Sequence, residues 1–170
     1  SGGSLRSHLQ RLQARQRYLP LAQALQIGAQ IAEALEYAHL KGVVHRDVKP
    51  GNIILKKLTR PEETGEHPFR AVLTDFGLVR LVNGDRITQS GMTLGTPIYM
   101  SPEQCQGHDL DGRSDLYSLG IVLYELFTNH LPFEFKNLSE ALHAHLNGVM
   151  PPLAQVYRPE LPQLIDSLLQ

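Results

Sequence analysis

Two short stretches of this chain carry side chains suited to handling phosphate. His45-Arg46-Asp47-Val48-Lys49-Pro50-Gly51-Asn52 supplies a carboxylate, an ammonium and an amide close together, and Asp75-Phe76-Gly77 supplies a second carboxylate. Asp47, Asn52 and Asp75 are oxygen donors. Hard oxygen ligands suit Mg²⁺, which keeps several waters and binds through one or two carboxylates plus substrate phosphates. Lys49, two residues after Asp47, has the charge to neutralise a phosphate. A carboxylate, a lysine and metal ligands belong together in phosphoryl transfer, where positioning and charge neutralisation do most of the work.

The elements that must position these groups are mostly helical. Residues 5 to 17, rich in Arg, Gln and Leu, read as a polar surface helix. Pro20 suits the first turn of a second helix, in which Leu21, Ala24, Leu25, Gly28, Ile31, Ala32 and Leu35 follow helical spacing until Gly42 stops it. Ile53-Ile54-Leu55 and Ala71-Val72-Leu73 read as short strands, joined by a long loop from Lys56 to Arg70 that holds Pro61, Gly65 and Pro68. Residues 83 to 101 show no period and are expected to be irregular; long aperiodic segments in compact domains tend to be functional. Leu116 to Phe127 is apolar almost all round and is expected to be buried on every side. Asn137 and Glu140 resemble a capping box opening a helix that ends near Gly148. Prolines 151, 152, 159 and 162 mark a loop before a last amphipathic stretch.

These motifs resemble those of protein kinases. The catalytic-loop pattern H-R-D-L-x-x-x-N is present with Val48 in place of leucine, D-F-G is complete, and A-P-E appears as Ser101-Pro102-Glu103, all in the family's order. Lys49 and the Gly95-Thr96 pair resemble serine/threonine kinases, and Tyr99-Met100-Ser101-Pro102-Glu103-Gln104 is similar to the bacterial eukaryotic-like (Hanks-type) group. The resemblance runs over residues 1–170 and implies a partial kinase catalytic domain, from just after the hinge to the start of a late helix. Its fold would be a kinase C-terminal lobe, mainly α with short β-hairpins. The resemblance also assigns roles. Asp47 would orient or accept the substrate hydroxyl proton, Lys49 would contact the γ-phosphate of ATP, and Asn52 and Asp75 would hold Mg²⁺. Ile54 would lie under the adenine ring, and Thr96 would bond Asp47 and Lys49 beside the substrate site. His45 and Phe76 would belong to a hydrophobic spine. Asp115, opening the buried helix, would anchor the catalytic loop's backbone, and Glu103 would pair with an arginine of a later helix. Arg46 and Arg80 would receive a phosphate carried on Thr88, Ser90 or Thr93, with Thr88 and Ser90 favoured.

Composition fits this reading. Apolar residues make up 42% and charged residues 19%, which suits a globular protein with a real core, and a net charge of -1 points to neither nucleic acid nor an anionic membrane. No apolar run reaches spanning length. The single cysteine, Cys105, allows no internal disulfide and fits a reducing compartment, so a cytoplasmic location is expected, with membrane tethering of the full-length protein left open. His143 and His145 invite a metal reading, but residues two apart on a helix do not face each other. His8, His39, His67, His108 and His130 read as surface or packing residues.

Several family parts are not found in the sequence: a G-x-G-x-x-G loop, a V-A-I-K-type lysine and the helix bearing its glutamate partner. The chain is therefore expected to be a fragment that needs an N-terminal lobe to act on protein substrates. The alternative is a truncated, non-catalytic lobe serving as a protein-binding module. The retained Asp47, Lys49, Asn52 and Asp75 favour the enzyme; the missing parts favour the module.

Overall fold

A computed structural model describes residues 3–58, 69–76, 97–149 and 151. They form a mainly helical body with one two-stranded antiparallel sheet. The Gly77 to Thr96 stretch, most of the expected 56–70 loop and the chain after Pro151 lie outside the described residues.

Helix α1 spans Leu5–Gln13, with Ser4 as its N-cap accepting from the Ser7 amide. It is shorter than expected and is not a surface helix. Leu5 and Leu9 are fully buried, and Leu12 packs against the same core. Leucines at i, i+4 and i+7 make one continuous stripe, and that stripe outweighs the polar majority around it. Before the helix, the Gly3 carbonyl accepts from the Leu55 amide at 3.1 Å, so Gly3 and Ser4 lie along the sheet edge.

Helix α2, Leu21–Leu40, buries Ala24, Ile27, Gly28, Ile31, Leu35 and Ala38 on one face. Pro20 stands just before it as the N-cap, one position earlier than expected. Gly42, at φ 73°, supplies the left-handed turn that stops it. Strands β1 (Ile53–Lys57) and β2 (Phe69–Leu73) pair from Ile53↔Leu73 to Lys57↔Phe69, two residues longer each than their apolar cores. The Ala71 amide donates to Gln30 Oε1 at 2.6 Å, fastening the sheet to α2.

Helix α3, Pro102–Gln106, is closed by a full capping box between Ser101 and Gln104. Helix α4, Gly112–Thr128, begins at N-cap Asp111, so Asp115 sits in its first turn and does not open it. It is not buried on every side: Leu116 is 54% exposed. Its inward faces carry Ile121, Val122 and Leu126 together with polar Ser114, Asp115, Ser118, Glu125 and Thr128. α2 crosses α4 so closely that a Cβ on Gly28 would come within 2.6 Å of Leu123 Cδ2. Helix α5, Leu138–Asn147, is capped by Asn137, which accepts from the Glu140 amide at 2.9 Å. The return arm expected of a capping box lands one residue early, Glu140 Oε2 accepting from the Lys136 amide. Among the described residues no helix is long and apolar enough to cross a membrane.

The buried stripe of α1 is testable. Leu9→Ala is expected to lower unfolding free energy by about 2–5 kcal/mol, the usual cost of emptying a filled core site. Gln10→Ala, on the exposed face of the same helix, is expected to stay within about 0.5 kcal/mol. Denaturant unfolding of the two variants decides it, and equal effects would return α1 to the surface.

Candidate active site

The stretch from His45 to Asn52 leaves α2 and enters β1 with no ladder partner for its first amides, and buried N–H groups need acceptors. Asp115, 1% exposed, provides them from the first turn of α4. Its Oδ2 accepts from the His45 amide at 2.8 Å and its Oδ1 from the Arg46 amide at 2.7 Å. His39 Nε2 adds a third donor at 2.8 Å. The His39 ring lies across the start of α4, where a Cβ on Gly112 would come within 2.7 Å of Nδ1. Sequence reasoning placed His39 among surface and packing residues; its position next to Ala38 on the buried stripe was the available signal.

Arg46 has φ 67°, a conformation that costs a non-glycine residue about 1–3 kcal/mol and persists only where its surroundings over-determine it. Here the amide is held by Asp115 and the carbonyl accepts from Gln104 Nε2 at 2.7 Å. The guanidinium end remains on the exposed side. His45 is fully buried, and its Nε2 donates to the Thr74 carbonyl at 2.9 Å while Nδ1 accepts from the Asp47 amide at 3.2 Å. A carbonyl only accepts and an amide only donates, so the two bonds fix one neutral tautomer. The His45 ring lies 4.5 Å from the Phe76 ring, centroid to centroid.

Beyond this anchor three functional groups converge. Lys49 Nζ lies 2.7 Å from Asp47 Oδ2, with the lysine and aspartate side chains 24% and 38% exposed, so the pair faces open space. Asn52 Nδ2 donates to both the Asp47 carbonyl and Asp47 Oδ2, each at 2.9 Å. Since both partners only accept, the amide must point its nitrogen at Asp47, and Oδ1 is the atom it can offer a cation. The Asn52 carbonyl accepts from both the amide and hydroxyl of Thr74, at 2.9 and 3.1 Å, which sets the exposed Asp75 directly after the residue opposite Asn52. Asp75 also adopts a left-handed backbone, φ 61°, more tolerable for aspartate than for most residues. Among the described residues no three His, Cys, Asp or Glu side chains gather. The candidate donors are carboxylate and amide oxygens only, a set that fits Mg²⁺ and not a nitrogen- or sulfur-seeking metal. Ile54 is half-buried on β1, opposite Val72.

Glu103 accepts from Ser114 Oγ at 2.5 Å. Burial works to raise its pKa, but hydrogen bonds from Ser114, its own amide and Ser101 outweigh burial and hold the carboxyl below the usual range. Thr96, Arg80, Thr88, Ser90 and Thr93 lie outside the described residues.

One cluster was not foreseen. Tyr99 Oη donates to Glu125 Oε2 at 2.5 Å and accepts from Arg6 Nη2 at 2.5 Å, while Arg6 Nη1 reaches Glu125 Oε1 at 3.2 Å. It ties α1 and the 3₁₀ turn Pro97–Tyr99 to the last turn of α4. Burial first, then the Glu125 charge, drives the Tyr99 phenol far above its ordinary pKa, so it keeps its proton. A glutamate inside an apolar helical run was the sign of it, because a buried carboxylate demands partners.

Comparison with known proteins agrees with this geometry. The chain is 44% identical over 130 residues to the serine/threonine-protein kinase Pkn1 of Myxococcus xanthus, covering 76% of this chain and 18% of that protein. It is 39% identical over 151 residues to PknA of Mycobacterium tuberculosis, 89% of this chain and 33% of the relative. It is 44% identical over 130 residues to PkaA of Streptomyces coelicolor, 76% and 22%. The chain thus spans a third or less of the length of these relatives, all serine/threonine-protein kinases of bacteria. The protein kinase domain family model matches residues 1–170, and the chain belongs to that family.

Proposed function

We propose that this chain carries out the C-terminal-lobe half of ATP- and Mg²⁺-dependent phosphoryl transfer to serine or threonine hydroxyls of proteins. The observation that carries the reading is the contact of Asp47 with both Lys49 and Asn52 on a loop fixed from below by Asp115. Asn52 and Lys49 orient the Asp47 carboxylate, which faces open space and is suited to align a substrate hydroxyl and take its proton. Lys49 leaves its ammonium beside that carboxylate, where it can neutralise charge on the phosphoryl group being transferred. Asn52 Oδ1 and the Asp75 carboxylate would hold Mg²⁺, which when bound supplies charge neutralisation to the ATP phosphates. Ile54 would support the adenine and Thr96 would brace Asp47 and Lys49. The His45–Phe76 stack would keep Asp75 in line, and Glu103 would hold the end of the segment. The exposed Arg46, with Arg80, would receive a phosphate on Thr88, Ser90 or Thr93, adding charge-assisted bonds that order the segment.

The 170 residues contain no G-x-G-x-x-G loop to cover the phosphates, so the proposed chemistry needs that roof from elsewhere in the full-length protein. With full-length protein, radiolabelled ATP and a basic protein acceptor, Asp47→Asn is expected to cut transfer by roughly 10²–10⁴-fold, the worth of a positioned general base, without unfolding the protein. The 170 residues alone are expected to transfer no label. Full activity in the Asp47→Asn protein would rule out the assignment.

A further inference from the structure

Arg46, the left-handed residue just before Asp47, is held at its two ends by two different elements. Its amide donates to Asp115 Oδ1 at 2.7 Å, and its carbonyl accepts from Gln104 Nε2 of α3 at 2.7 Å. Gln104 is 8% exposed, and its Oε1 accepts from the Ser101 amide at 2.9 Å. A backbone amide only donates and a carbonyl only accepts, so these two bonds fix which way the side-chain amide points. Helix α3 is fastened in turn by Glu103, which accepts from Ser114 Oγ, one residue before Asp115. Both supports of Arg46 therefore lead back to the first turn of α4.

The two bonds do different work. Asp115 fixes the peptide plane before Arg46, and Gln104 fixes the plane after it. The φ and ψ of Arg46 are the rotations between those planes. The second plane is rigid and carries the Arg46 carbonyl at one end and the Asp47 amide at the other. Gln104 holds the carbonyl end, and His45 Nδ1 accepts from the amide end at 3.2 Å. Asp47 leaves directly from this plane. Without the carbonyl tie, Arg46 is free to relax from its strained φ of 67°, and Asp47 moves with it.

We infer that Gln104 is a positioning residue whose Nε2–H holds the Arg46 carbonyl and so aims the Asp47 carboxylate at the acceptor hydroxyl. This rests on the kinase reading, which makes Asp47 the group that takes the hydroxyl proton. The side chain that closes the α3 capping box thus also links α3 to the proposed catalytic loop. Lys49 and Asn52 still hold the Asp47 carboxylate, so losing the tie weakens its aim and does not abolish it. Asn52 and Asp75 are set by the bonds between Asn52 and Thr74. Loosening the tie therefore acts on the chemical step and not on the nucleotide.

The experiment combines a double-mutant cycle with amide exchange on the full-length protein. Gln104→Glu keeps an acceptor for the Ser101 amide and removes the donor to Arg46. Gln104→Met removes the donor at similar volume and serves where the buried charge of the first variant prevents folding. Each is expected to lower kcat for a peptide acceptor roughly three- to tenfold, the worth of one neutral hydrogen bond, with KM for ATP and for the peptide nearly unchanged. On the residual transfer of the Asp47→Asn protein the same changes are expected to cost less than about twofold, because the tie acts only through Asp47. The Asp47 amide is expected to exchange roughly three- to tenfold faster in the folded variant than in the wild type. An unmoved kcat, unchanged exchange at Asp47, or an equal loss with and without the Asp47 carboxylate would each overturn the inference alone; the last is the result of a merely structural side chain. Wild-type protein without Asp47-dependent transfer would overturn the kinase reading and this inference with it.

Discussion

The Asp115 carboxylate is the constraint on which the rest of the site depends. It is buried, and burying a carboxylate is expensive unless donors replace the lost water. Three do so: the amides of His45 and Arg46 and the His39 ring. Hydrogen bonds to a charged group contribute about 1.5–3 kcal/mol each, which offsets both the desolvation and the left-handed backbone at Arg46. The carboxylate also stands in the first turn of α4, where the helix dipole favours negative charge. One side chain therefore fixes the start of a loop whose far end is fixed by strand pairing at Ile53. Between those two points Asp47, Lys49 and Asn52 have little freedom left.

The polar groups divide by burial. Asp115 and Glu125 are buried and bonded on both oxygens, and they hold backbone and side chains in place. Asp47 and Asp75 reach toward solvent, where a substrate or cation can meet them. The buried carboxylates use both oxygens on geometry, whereas Asp47 engages Oδ2 with Lys49 and Asn52, and Asp75 is exposed. The Arg6–Tyr99–Glu125 cluster extends this outward by connecting α1 and the turn after the Gly77–Thr96 stretch to the same helix that carries Asp115.

The site was more legible in sequence than its supports were. Asp47, Lys49, Asn52 and Asp75 were legible as candidates because their types and spacing match known motifs, and the structure puts Lys49 and Asn52 on Asp47. The strand pair and α2 were legible because apolar runs and a 3.6-residue stripe are local signals. His39, Glu125 and Tyr99 were not, since each is defined by a partner 26 to 119 residues away. The α1 stripe was hidden by composition: leucines at 5, 9 and 12 stand among arginines and glutamines, and only the partner surface shows which side counts. The first turn of α4 was misplaced because Asp115 looks like a helix-opening acid, whereas the capping is done by Asp111, which accepts from the Arg113 amide at 2.8 Å.

Amide hydrogen exchange at His45 and Arg46 tests the central claim most directly. If Asp115 holds the loop, both amides exchange as slowly as core amides of α4 in the wild type. In Asp115→Asn, which keeps one acceptor oxygen, at least one of the two then loses protection by roughly 10- to 100-fold, the equivalent of one charge-assisted bond. Fast exchange at both positions in the wild type, or protection unchanged in Asp115→Asn, would contradict the account.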